Sequence, residues 1–194
     1  PISREAKWIS PEFEQFKNSY LKALNSPANS AAEAWTEAST AALALLGFGT
    51  GMTPFMDDFI CGLLFARLVL RQAQAAGISY KDRSSRELKT AELKVKAESQ
   101  EELEQKLAAE EIFISQIRQT ARQKTNRISA DLIKQAADGL ASEILKKMLT
   151  ALFDRCDGEV KTSLEELVKI GQSSGSDLAA GIYFALKTAT LTGA

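Results

Sequence analysis

The chain has 194 residues, 45% of them hydrophobic, with 24 Lys and Arg against 25 Asp and Glu and no histidine. That length and apolar content suffice for one domain with a substantial core, and a net charge of −1 argues against holding nucleic acid or anionic lipid by charge. Without histidine there are no Ser–His or Cys–His nucleophile pairs and no His-ligated metal sites, so any chemistry falls to carboxylates, hydroxyls, Arg, Lys or backbone.

The opening PISREAKWIS lacks the apolar run and cleavage pattern of a signal peptide. Ser10 and Pro11 suit the start of a helix that places Phe13, Phe16, Tyr20, Leu21 and Leu24 on one stripe and ends near Asn25. From Ser30 the Ala-rich AAEAWTEASTAALALLGFG predicts a second helix that stops at the glycines. After GFGTGMTPFMDD, the run FICGLLFARLVLRQAQAAG is apolar on nearly every side until Arg67, as a central helix would be, with its polar end near Arg71 reaching solvent. Its longest apolar run falls short of the roughly 20 residues that span a bilayer.

Residues 79 to 111 carry both charge signs and read as an excursion from the core, an exposed loop followed by a solvated helix. EIFISQIRQTARQ predicts a further helix, then ADLIKQAADGL with Ser129 as its cap, then SEILKKMLTALFD. RCDGEV reads as a turn, Thr162 with Glu165 as a capping box for TSLEELVKI, and Ser176 as the cap of LAAGIYFALKTATL. Strand patterns are almost absent, so residues 1–194 are expected to form a single all-α domain of seven to eight helices. Cys61 and Cys156 lie far apart and match no metal-ligand spacing, which predicts buried, reduced thiols in a cytoplasmic protein.

Two glycine-rich loops each precede an apolar helix, an arrangement that turns N–H groups and a positive dipole end toward a small anion such as phosphate or carboxylate. The first offers Gly47, Gly49, Thr50 and Gly51, with Thr53 as N-cap and Pro54 at the first helical position. The second offers Gly171, Ser173, Ser174, Gly175 and Ser176, whose hydroxyls add donors. Each by itself is equally well explained by glycines that end helices. Asp57 and Asp58 project about 100° apart on a helix, so one can face a ligand while the other caps or pairs. Thr125 and Arg127 form a third segment, with Arg suited to bidentate contact with an anion. No phosphate-loop or dinucleotide fingerprint is present.

Together these segments resemble the AllH-type family, long catalogued as a domain of unknown function. The pattern is carried by Gly49, Gly51, Thr53, Pro54, Asp57, Asp58, Phe59 and Gly62. It continues with Thr125, Arg127 and Ser129, then Gly171, Ser173, Ser174, Gly175, Asp177 and Gly181. The likeness covers roughly residues 30 to 190. Family members usually carry an additional N-terminal region, so this chain is expected to be a fragment or a short relative.

The resemblance implies a link to purine and allantoin degradation through oxamate carbamoyltransferase, a multi-subunit enzyme handling carbamoyl phosphate and oxamate. On that reading the chain is a subunit with other protein partners. Asp57, Asp58, Arg127 and Asp177 would be its catalytic residues, and Gly49, Thr50, Gly51, Thr53, Thr125, Ser173, Ser174, Gly175 and Ser176 would bind substrate. Two rival readings stay open. One is a Mg²⁺-dependent all-α hydrolase similar to ADP-ribosylglycohydrolases, with Asp57, Asp58 and Asp177 as metal ligands. The other is an interaction or regulatory subunit whose glycines serve helix packing.

Overall fold

A computed structural model describes residues 10–75, 100–154 and 156–192. These form eight helices and no strand: α1 (Ser10–Asn25), α2 (Ala28–Leu45), α3 (Phe55–Ala75), α4 (Gln100–Lys124), α5 (Arg127–Ala137), α6 (Glu143–Asp154), α7 (Asp157–Leu167) and α8 (Ser174–Thr192). None of the described helices is long and apolar enough to cross a membrane.

Helix α3 is the axis of the domain, buried at every position from Met56 to Arg67. It packs chiefly on α8 and α5, while α2 lies between α1 and α4, and α6 pairs with α7. The predicted stripe of α1 meets α3 and α8 in an aromatic cluster, where Phe16, Tyr20, Phe59 and Phe184 stack with ring centroids 5.4 to 6.5 Å apart. Burial of each such ring contributes roughly 1.5–3 kcal/mol. On the far side, Tyr20 and Phe113 close around Trp35 of the Ala-rich α2, whose small side chains allow the close approach.

Several local expectations shift. Of the charged stretch 79–111, residues up to 99 lie outside the described residues; its end runs without a break into EIFISQIRQTARQ as the 25-residue α4. Glu110 within it is buried, because it forms a two-pronged ion pair with buried Arg67 of α3, Nε to Oε1 at 2.7 Å and Nη2 to Oε2 at 2.9 Å. Burial opposes the Arg67 charge, yet the Glu110 charge, Tyr20 and the Glu110 hydrogen bonds together outweigh it and hold the guanidinium pKa above its ordinary value. Arg71 folds onto α4 through Glu111 at 2.7 Å and the Leu107 carbonyl at 3.1 Å, with its side chain mostly covered.

Helix starts move by a few residues for identifiable reasons. Asn126 caps α5 by accepting from the Ser129 N–H at 3.0 Å, so Ser129 lies in the first turn instead. Helix α7 begins at Asp157, which absorbs the expected turn and leaves Thr162 inside the helix, donating to the Gly158 carbonyl. Helix α8 begins at Ser174, and its first carbonyl acceptor is Ser173, three residues before the expected cap. Cys61 is buried as expected, but Cys156 is exposed at the entry to α7.

Candidate functional site

The two glycine loops meet because α3 and α8 cross in their second turns, at Phe59–Gly62 and Leu178–Gly181. Gly62 follows Asp58 by one helical turn, and Gly181 follows Asp177 by the same interval. A Cβ on Gly62 would lie 2.1 Å from the Leu178 carbonyl oxygen, and one on Gly181 would lie 2.0 Å from that of Phe59. Each glycine is thus seated on the residue after the other helix's aspartate. This reciprocal contact brings Asp58 and Asp177 to the same junction, one turn toward the helix starts. Gly175 is seated similarly, 1.8 Å separating its would-be Cβ from the Leu167 carbonyl oxygen at the end of α7. For these three glycines close packing is sufficient explanation.

Hydroxyl groups bridge the loops above that contact. Thr53 Oγ1 donates to Asp58 Oδ2 at 2.9 Å and lies 2.9 Å from Ser174 Oγ. The Ser174 hydroxyl also acts to lower the Asp58 pKa, and the Ser173 hydroxyl that of Asp177. Thr53 does this from one residue before the position expected, since the Pro54 carbonyl accepts the first helical bonds, from Asp57 and Asp58.

Asp57 turns the other way. Its Oδ1 accepts the Gly47 N–H at 2.7 Å and its Oδ2 accepts the Thr125 hydroxyl. Gly47, at φ 82°, fits where a side chain would strike the Lys124 carbonyl, and Asn126 Nδ2 donates to the Met52 carbonyl at 3.0 Å. Asp57 and Asn126 therefore clasp the first glycine loop to the α4–α5 connection. Asn126 escaped attention beside Arg127, although Asn three residues before Ser129 is a capping signal.

The electrostatics are one-sided. Burial raises the Asp58 pKa above the ordinary carboxylate value, the Ser174 and Thr53 hydroxyls oppose this, and the charges of Asp177 and Asp57 add to it. Burial likewise raises the Asp177 pKa against the Ser173 hydroxyl bond. No cation figures among these influences. The Arg127 side chain is 88% exposed, its Nε 3.9 Å from Asp131. Thr50, Gly51, Ser173 and Ser176 are exposed, Gly49 is partly covered by Phe55, and Thr125 is held by Asp57.

Many backbone donors at the two helix starts have partners within the chain. The Met56 N–H goes to Phe48, those of Asp57 and Asp58 to Pro54, that of Gly175 to Ile170 and that of Asp177 to Ser173. A metal ion fits poorly, since Asp57 has both oxygens engaged and no group of three acid or thiol side chains converges on a common point among the described residues.

No curated protein and no solved structure matches the chain. The model of one family, described as oxamate carbamoyltransferase subunit AllH, matches residues 45–100 and 96–186, a span that includes both glycine loops, the Thr125–Arg127 segment and the α3–α8 crossing. The chain belongs to the AllH family.

Proposed function

We propose that this chain is a subunit of a carbamoyltransferase-type enzyme and that its ligand site is the junction of the α3 and α8 helix starts. The observation that carries the reading is the Thr53–Ser174 hydrogen bond with its tie to Asp58, which joins two motifs 121 residues apart around a carboxylate. The family description supplies the reaction class, carbamoyl transfer involving oxamate.

Transfer to an amide nitrogen needs an acceptor for its N–H proton and a fixed approach. Asp58 is suited to both. Its raised pKa makes it a stronger base than a solvated carboxylate, and Thr53 and Ser174 hold it in place. The anionic end of the ligand would lie toward the positive ends of α3 and α8, with Arg127, 88% exposed and 3.9 Å from Asp131, as the candidate cation. Asp57 acts at one remove, fixing the first glycine loop.

The test is carbamoyl transfer by the complex purified with its partner subunits. Asp58→Ala is expected to lower kcat by about a hundredfold or more, the range of a lost general base, with assembly intact. Unchanged turnover in that variant would leave the chain an accessory subunit.

A further inference from the structure

We propose that this chain binds a second copy of itself, with the basic outer face of α5 seated on the acidic outer face of α7 in the other copy. The pairing does not depend on what the α3–α8 junction binds.

Helix α5 turns Ala130, Ile133 and Ala137 inward and packs on α3 and α4, as an amphipathic helix should. Its outer side is not simply polar. Ile128 and Leu132, one turn apart and so neighbours on the helix surface, are 49% and 39% exposed. Met52, 76% exposed, stands beside the start of the same helix, where its carbonyl accepts from Asn126. The surface around them is basic. Residues 122–137 carry Arg122, Lys124, Arg127 and Lys134, all exposed, against Asp131 as the one acid.

Helix α7 has the inverse pattern. It turns Ser163 and Leu167 inward and packs chiefly on α6, and Leu164 and Val168, again one turn apart, are each 40% exposed. Residues 157–168 carry Asp157, Glu159, Glu165 and Glu166, all exposed, against Lys161 as the one cation.

A single exposed apolar residue needs no explanation. Here two adjacent ones lie on each of two helices whose charges are opposite. Seating α5 on α7 of another copy covers both apolar pairs at once and sets one face's cations against the other's acids, the complementarity that steers encounter and fixes register. A polyanion would satisfy α5 alone and be repelled by α7. Within one copy the two faces do not satisfy each other, since both stay exposed. Each copy carries both halves, so the contact made twice about a two-fold axis closes a dimer, and made once it runs head to tail.

Sedimentation of the full chain tests this. Wild type is expected to associate at micromolar concentration in low salt and to dissociate as added salt shortens the screening length, to about 3 Å at 1 M. Lys124→Glu with Lys134→Glu makes the α5 face acidic, and Glu165→Lys with Glu166→Lys makes the α7 face basic. Each double variant alone opposes like charges and should raise the Kd at least about tenfold. Mixed in equal amounts, the two restore opposite charges at every α5–α7 contact and should reassociate. Leu164→Ser with Val168→Ser changes no charge, should weaken wild-type association as well, and stands in if a reversed variant does not fold. A wild type that is monomeric throughout, association unmoved by these variants, or a mixture that stays monomeric overturns the proposal.

Discussion

Thr53 and Ser174, 121 positions apart in the chain, share a hydroxyl contact of 2.9 Å, a direct side-chain link between the two glycine loops. Thr53→Val keeps the shape and removes the hydroxyl. The loss expected in denaturant unfolding is about 1–2 kcal/mol, the cost of leaving a shielded carboxylate oxygen short of a donor. Oxamate affinity should fall with it, whereas equal affinity in the variant would mean that the bridge does not shape the site.

The buried Arg67–Glu110 pair predicts an asymmetric response. Glu110→Ala strands a guanidinium and should cost about 3–5 kcal/mol, while Arg67→Met with Glu110→Leu should recover most of the loss. Both are read from urea melts. A double variant as unstable as the single one would show that the ion pair, and not merely the filled volume, holds α3 to α4.

Gly62→Ala places a methyl group against the Leu178 backbone and should destabilise the fold by about 3 kcal/mol. Gly158→Ala is the control, since a Cβ there meets nothing and the residue lies within helix α7. It should gain roughly 0.5–1 kcal/mol. Thermal unfolding of the two variants checks both signs together.

The carboxylates at the junction give a pH dependence. Their folded pKa values lie above the ordinary carboxylate value, so the folded chain binds these protons more tightly than the unfolded chain. Stability attributable to them therefore falls as pH rises from the ordinary value through the raised ones, and the penalty is complete above that window. Around them stand Thr53, Ser173, Ser174, Asp57 and the buried thiol of Cys61. Asp177→Asn should consequently be more stable than wild type at pH 7, with the advantage shrinking toward pH 4. Urea melts across that range measure it, and an advantage that grows on acidification contradicts the assignment.

Much of the architecture was legible in the sequence because it is local. The helix stop at Gly47, the α1 stripe and the all-round apolarity of α3 follow from residues within a few turns of one another. The Arg67–Glu110 pair was not legible, since Glu110 sits among other charges and nothing nearby marks which of them leaves solvent. The site divides in the same way. Its motif residues could be named, but which aspartate faces the junction depends on the rotation of α3 about its axis, fixed by contacts with α8. The interval Asp58 to Gly62, repeated at Asp177 to Gly181, is the one trace of that contact in the sequence.

The reciprocal seating of Gly62 and Gly181 makes the separation of the α3 and α8 backbones beneath the two aspartates a main-chain dimension. Side-chain contacts yield by changing rotamer, but a Cα resting on a carbonyl oxygen has no rotamer to change. The crossing therefore behaves as a fixed gauge, set when α3 and α8 dock. On the proposed reading of the junction as a ligand site, a ligand would have to match that backbone spacing as it finds it.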